Sequence, residues 1–315
     1  EGTMVQAFFT PLTTDVNQIS WAGYLHSLWV DRFGNIREDS NGNKRLDLDG
    51  DNIIQFFLVE DGEEKGKTKV RVYNTSEDNP YDTEDADGEK DLIDITAVWK
   101  GGEMLAQREA ATRKILTYTG GTAQFAEFDS ANDAAIGPLF GVNDNESTAD
   151  LSYLGADYND RVKNLIYFMR GEDTQTSTLY KGSYDLRSRN TPEGTVWKLG
   201  DIVNSNPVSV AKPMDNYGLL YDDQTYKEYF RKYSHRETVV NVGANDGMLH
   251  AFTSGLYNAD NQSFQNVYNV DGYLSEIPEN IVGNVEIGSE MWAYIPQNVL
   301  PHLKWLASPA YDEQQ

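Results

Sequence analysis

The sequence contains no cysteine. Disulfide staples, cysteine-ligated zinc and thiol nucleophiles are therefore excluded. Basic residues are also scarce: 26 Lys and Arg stand against 50 Asp and Glu, a net charge of −24. A nucleic-acid partner, which needs a basic face, is not expected. Only four histidines occur, at positions 26, 235, 250 and 302, far apart and without an H-E-x-x-H spacing. No apolar run approaches the roughly 20 residues of a membrane-spanning helix. Glu1-Gly2-Thr3 has neither the charged nor the apolar region of a secretion signal. The chain reads as mature, or as cut from something longer.

What is present suffices for a real core. The 315 residues are enough for two ordinary domains, and 39% are hydrophobic. An aromatic share of 12%, with 19 Tyr, leans towards β-structure. Strand patterns occupy "MVQAFF" (4–9), "WAGYLHSLWV" (21–30), "NIIQFFLVED" (52–61) and "KTKVRVYNT" (67–75). A turn is expected at Gly34-Asn35. "LIDITAVWKGGEMLAQREAATRKILTYT" (92–119) starts as a possible helix with Val98, Leu105 and Ile115 as core positions. Its glycine pair at 101–102 weakens a continuous helix, and "ILTYT" returns to strand.

The clearest helix is "DYNDRVKNLIYFMRG" (157–171). Val162, Leu165, Ile166 and Met169 share one face, and Gly171 stops it. "GTVWKLGDIVNSNPVSVAKP" (194–213) suggests two strands with a turn, and "DDQTYKEYFRKYSHRE" (222–237) a short helix. "TVVNVGANDGMLHAFTSG" (238–255) reads as a hairpin around Asn245-Asp246-Gly247. A strand and short helix follow over 288–309. The fold expected is mainly β with a few short helices. A β-rich module over 1–175, with a helix near 157–170, precedes a second unit over 176–315.

"IREDSNGNKRLDLDGDN" (36–52) holds the sharpest chemical pattern. Asp39, Asn41 and Asn43 fall at positions 1, 3 and 5 of a calcium loop, with the Arg45 carbonyl at 7 and Asp47 at 9. Spacing by two turns alternate side chains onto one ion, and hard oxygens suit calcium. The EF-hand pattern is incomplete, because position 6 is Lys44 and position 12 is Gly50. Asp49 or Asp51 would have to complete the shell. The competing reading is a solvated Asn/Asp/Gly turn. A weaker alternating set, Asp85, Asp87, Glu89 and Asp91, follows in a second acidic loop. Its acids repel one another unless an ion is bound or the loop is mobile.

Catalytic signals are poor. No G-x-S-x-G elbow and no P-loop is present. His250 lies in an alternating strand, which favours packing over a role as base.

"VVNVGANDGMLHAF" (239–252) and "GSEMWAYIPQNVLPHLKWLASPAY" (288–311) resemble the PilC/PilY-type proteins of bacterial type IV pili, which are pilus biogenesis factors and tip-associated adhesins. "LGDIVNSNPVSV", "VWKGGEMLAQREAATRKILTYT", "NLIYFMRG" and "WAGYLHSLWVDRFGNIRED" are similar to further segments of that family. The resemblance implies part of a modified β-propeller, with Trp292 packing between blades. A blade takes about 40–50 residues, so the second unit would supply two to three blades. Nothing matches the family's amino-terminal von Willebrand A domain, and its propeller calcium loop has no counterpart here.

The resemblance implies a non-enzymatic protein at the pilus tip or outer cell surface, secreted through the periplasm. Its partners would be pilins or minor pilins, a host or surface ligand, and the rest of its own propeller or a partner chain. Two other readings stand beside it. One is a fragment of a pyrroloquinoline-quinone-type dehydrogenase, whose blade repeats look alike. The other is a purely structural calcium-binding module of a filament.

Overall fold

The computed structural model describes residues 2–11, 20–74, 86–120, 125–143, 151–234, 236–258, 262–265 and 286–311. Strands dominate and the helices are short. The first sheet holds β1 (Gly2–Thr10), β2 (Ala22–Val30), β3 (Ile36–Arg37), β4 (Ile53–Leu58), β5 (Thr68–Tyr73) and β6 (Gly88–Asp91) in sequential order, with β7 (Trp99–Lys100) also paired to β2. All its pairings are antiparallel, from Gly2↔Val30 at one edge to Lys69↔Asp91 at the other. Short connections allow this, since two-residue turns join antiparallel neighbours. The β2–β3 connection is only slightly longer, residues 31–35. Gly34 takes φ +88°, and the Asp31 carboxylate accepts the Phe33 and Asn35 N–H groups.

The glycine pair at 101–102 opens α1 (Gly101–Gln107) instead of breaking it. The reason is space. A Cβ on Gly102 would lie 2.7 Å from the Trp197 ring, and one on Gly101 3.1 Å from Phe252. Val98, Leu105 and Ile115 are all buried.

The second sheet mixes both halves of the chain. It holds β8 (Ile115–Tyr118), β9 (Phe125–Glu127), β10 (Val208–Val210), β11 (Thr238–Ala244), β12 (Met248–Asn258), β13 (Ser263–Gln265) and β14 (Glu290–Ile295). The order is β10-β11-β12-β14-β8-β9, with β13 on the flank of β12. Only β14 and β8 run parallel, with Ala293 opposite Ile115. Neither path given by the described residues closes into a ring.

Between β9 and β10 lie α2 (Asp133–Ile136) and α3 (Tyr158–Arg170). The Asp157 side chain caps α3 by accepting the Asp160 N–H at 2.9 Å. Gly171 ends it at φ +96°, donating to the carbonyls of Tyr167 and Phe168. Val162, Leu165, Ile166 and Met169 are buried against β8, β14 and the final helix α6 (Leu303–Leu306).

Residues 194–202 differ from the expected strand. They make only isolated bridges, Asn190↔Val196 and Ala22↔Gly200. Their polar and aromatic groups are used elsewhere: Trp197 donates Nε1–H to the Gly23 carbonyl at 3.1 Å, and Gly200 donates its N–H to Asp246. The strand of this segment is β10, whose three residues are all exposed. Next come α4 (Tyr217–Leu220) and α5 (Gln224–Tyr233).

One core joins the sheets. Leu25, Trp29, Leu46 and Trp99 from the first half pack with Leu199, Val240, Val242 and Phe252 from the second. Trp99 donates Nε1–H to the Ser254 hydroxyl at 3.1 Å.

Candidate functional site

The Asp/Asn loop lies between β3 and β4, as its flanking strand patterns predict. Its base is built from charged groups the sequence did not advertise. Arg37 is buried and donates Nε–H to Asp31 at 2.8 Å and a second nitrogen to the Asp51 carbonyl at 2.6 Å. Glu38 is buried too. It accepts from the Thr96 N–H at 3.1 Å and pairs with Lys90 at 2.5 Å.

Above this base Asp39 turns inward, while Asn41, Asn43 and Asp47 stay exposed. The Asp39 carboxylate is 1% exposed and accepts the N–H groups of Asn43 and Lys44, at 3.2 and 2.9 Å. Asn41 accepts from the Asn43 N–H, Asn43 from the Arg45 N–H, and Asp47 from the Asp49 N–H. Gly42 and Lys44 both take left-handed backbone, at φ +68° and +57°. Lys44 thus adopts, as a non-glycine residue, the kind of conformation that glycine supplies most cheaply. A Cβ on Gly50 would lie 2.9 Å from the Asp47 carboxylate and 3.6 Å from the Asn41 side chain. Those two side chains therefore meet over Gly50.

Asp51 is the residue that turns inward at the end of the loop. It is 0% exposed, accepts the Ser40 and Asp47 N–H groups at 3.0 and 2.8 Å, and faces Asp39. Asp49 is exposed. Burial raises the Asp51 pKa to about 6, reinforced by the Asp39 and Asp47 charges against the N–H groups that lower it. Asp39 is raised as well, chiefly by burial. Two buried carboxylates thus lie in one loop, the Asp39 charge raising Asp51, and backbone donors offset both. Among the described residues no three acidic or imidazole side chains converge as a ready metal cluster. An ion here would be held by the two buried carboxylates together with the amide and carbonyl oxygens of Asn41, Asn43 and Arg45.

The loop is also tied to the second sheet. Leu46 donates its N–H to the Gln262 carbonyl at 2.9 Å, and Phe264 donates to the Lys44 carbonyl at 3.3 Å. Arg45 bridges Ser263, and Lys44 pairs with Glu286 at 2.6 Å.

The weaker acidic set is arranged differently. Asp85 lies outside the described residues. Asp87 accepts the Asn74 N–H at 2.6 Å just before β6. Glu89 faces Arg71 at 3.3 Å, and Asp91 faces Lys69 at 3.6 Å. Here alternation produces cross-strand ion pairs with β5.

Sequence reading missed the largest buried charge network. Arg113 grips Glu290 through Nε and a terminal nitrogen, both at 2.9 Å. The Glu290 carboxylate also meets His250 Nδ1 at 2.8 Å, while His250 Nε2 meets Asp246 at 2.9 Å. All four are buried. Burial opposes the imidazolium, but the Asp246 and Glu290 carboxylates raise the His250 pKa to about 9. Burial likewise opposes ionised Glu290, yet Arg113 and His250 hold its pKa far below the carboxylate range. With both ring nitrogens donating, His250 has no lone pair left to act as a base. It packs, as the strand pattern implies, but as a charged link. His26 contrasts with it: burial lowers its pKa to about 3, so it is neutral.

Known proteins bear on this geometry in one way. Over about a third of its length the chain is similar to two type IV pilus biogenesis factors. Both are PilY1 homologues from Xylella fastidiosa, strain Temecula1. One is 31% identical over 132 residues, the other 32% over 122, covering 35% and 36% of this chain. The matches span only 10% and 6% of those much longer proteins. No protein-family profile matches the chain. No solved structure matches it. The relationship is distant and partial, and the names of these relatives describe pilus biogenesis, not an enzymatic activity.

Proposed function

We propose that the chain is a non-enzymatic module of a type IV pilus biogenesis factor, working at the cell surface in pilus assembly and tip adhesion. The observation that carries this reading is the similarity to the two PilY1 homologues. Pilins or minor pilins are the partners it implies. In this reading the strands β10 to β14 of the second sheet, with the long β11–β12 hairpin, are the start of a modified propeller over 176–315. The remainder of a longer polypeptide, or a partner chain, would complete it.

Calcium in the 39–51 loop would rigidify the module. The support is physical. Two buried carboxylates, Asp39 and Asp51, oppose one another across a turn rich in amide oxygens. A divalent cation removes that repulsion and supplies the charge the site lacks. Asp39, Asn41, Asn43, the Arg45 carbonyl and Asp47 would be ligands, and Asp51 replaces Asp49 in completing the shell.

Two measurements test these claims. The purified chain, tagged and mixed with extracts of piliated cells, should retain pilins or minor pilins; if none co-purify, the pilus reading loses its support. Metal content by mass spectrometry should give one calcium ion per chain. The calcium claim fails if Asp39→Ala and Asp47→Ala leave that stoichiometry and the calcium-dependent melting temperature unchanged.

A further inference from the structure

The segment from Val203 to Glu237 is tied to the second sheet through β10, Ser205 and Glu237. None of its residues belongs to any of the four core clusters. It nevertheless shows the most exposed apolar side chains of the described chain. Met214, Leu219, Leu220 and Tyr221 are 78%, 83%, 70% and 74% exposed. Helix α5 buries no residue, although Tyr226, Tyr229, Phe230 and Tyr233 recur at helical spacing on one face. The tyrosine rings meet each other and Tyr217 of α4, at centroid distances of 4.9 to 5.9 Å, and the Lys232 and Arg236 cations lie over the Tyr233 ring. Between α4 and α5 a pocket of about 300 Å³ opens, lined by Leu219, Tyr226 and Phe230 and rimmed by Asp215 and Lys227. An apolar surface rimmed by charge is the mark of a docking site.

Charge points to the occupant. Five bases and five acids fall between residues 203 and 237, so the segment is neutral on a chain of net charge −24. Elsewhere two copies repel one another; here they do not. The charges are also segregated along α5. Asp222 and Asp223 lie at its amino-terminal end, Arg231 and Lys232 in its last turn. In a two-fold pair each patch meets itself, and antiparallel helices set one end against the other. The acids of one α5 then face the bases of the next, about 15 Å apart along the helix, with the Leu and Tyr side chains between them.

We propose that the α4–α5 hairpin is a self-association surface and that its partner is a second copy of this chain. This inference does not rest on the pilus reading or on the calcium loop. A neutral segment with mixed charge does not favour an anionic membrane, which prefers a basic one.

Sedimentation velocity of the purified chain tests it. A concentration-dependent shift from monomer to dimer is expected over the micromolar range. Leu219→Asp with Leu220→Asp should restore the monomer with an unchanged circular dichroism spectrum, since both side chains face solvent. A charge exchange tests the antiparallel arrangement. Asp222→Lys with Asp223→Ser, which keeps the helix cap, leaves only a positive charge opposite Arg231 and Lys232, and Arg231→Glu with Lys232→Glu sets acids against acids. Each variant should dimerise more weakly, and an equimolar mixture should recover dimer, because both ends are then complementary. The inference is overturned by a monomer at every concentration, by a dimer indifferent to the leucine changes, or by no recovery on mixing. Sedimentation of a monomer with phosphatidylglycerol vesicles would overturn it in favour of a lipid surface.

Discussion

Arg113 and Glu290, separated by 177 residues in sequence, face each other with neither side chain exposed to solvent. The pair joins the chain just before β8 to β14, and so fixes the one parallel contact of the second sheet. Arg113 also donates to the Arg170 carbonyl at 2.9 Å, which anchors the end of α3 to the same point.

Removing one partner of such a pair leaves an uncompensated buried charge, which costs about 3–5 kcal/mol. Glu290→Gln should therefore lower stability by about that amount. Urea unfolding followed by circular dichroism will read it as a lower midpoint.

The pH dependence follows from His250. Its folded pKa is about 9 against the ordinary histidine value of 6.5. The stabilisation is fully present below about pH 6.5 and is lost as pH rises through 9. Lys198 acts in the opposite sense: burial lowers its pKa to about 8, so folding gains above that pH. The difference between the wild type and His250→Gln isolates the histidine. Their gap in unfolding free energy should narrow between pH 7 and pH 10.

Gly23 sits where the two halves touch. A Cβ there would lie 1.9 Å from the Gly200 carbonyl oxygen and 2.8 Å from its carbon. Backbone has to move, so Gly23→Ala should cost at least the roughly 1–3 kcal/mol of an overpacked core. Gly102→Ala meets a side chain, Trp197, at 2.7 Å, and should cost less. Melting temperatures of the two variants, measured side by side, check the ranking.

Asp157 caps α3 with a side-chain acceptor. Asp157→Ala should cost about 1 kcal/mol, and Asp157→Ser should restore most of it. Thermal unfolding distinguishes this from a loss of charge, because serine keeps the cap without the carboxylate.

Calcium at a hundredfold excess over its Kd should add about 2.7 kcal/mol if the folded loop alone binds it. Asp51→Asn removes one of the two buried charges but sets its NH2 against one of the N–H groups that the carboxylate accepts, and it should shrink the gain from calcium. A gain of the same size in variant and wild type would place the ion elsewhere.

Much of this fold was legible locally. The face Val162, Leu165, Ile166 and Met169, ended by Gly171, specified α3 through its period and its cap. The hairpin at Asn245–Gly247 was legible from turn chemistry, and Gly247 takes φ +84° there. Of the alternate oxygens of Asp39, Asn41 and Asn43, only that of Asp39 turns inward, because it captures the N–H groups of Asn43 and Lys44. Position-by-position spacing could not choose between Asp49 and Asp51, because that choice depends on which side chain the Ser40 and Asp47 N–H groups capture. Gly101 and Gly102 read as helix breakers because their partners, Phe252 and Trp197, are distant in sequence. Arg113, His250 and Glu290 gave no signal, since polar residues are ordinarily assigned to the surface and only folding brings their opposite charges together. The even spacing of Asp87, Glu89 and Asp91 did not reveal β6, whose Glu89 and Asp91 stand opposite Arg71 and Lys69 across the ladder.

The bonds from Lys44 and Leu46 to residues 262–264 set an order of events. A ribosome makes residues 36–52 long before Gln262 exists. Until more than two hundred further residues have emerged, Leu46 has no strand to meet and Trp29 no Phe264 to pack against. The first sheet can pair its neighbours early, since those contacts are local. The loop between β3 and β4 is finished last, by residues 262–264. A truncation before residue 262 would thus leave that loop incomplete while β1 to β6 remain paired.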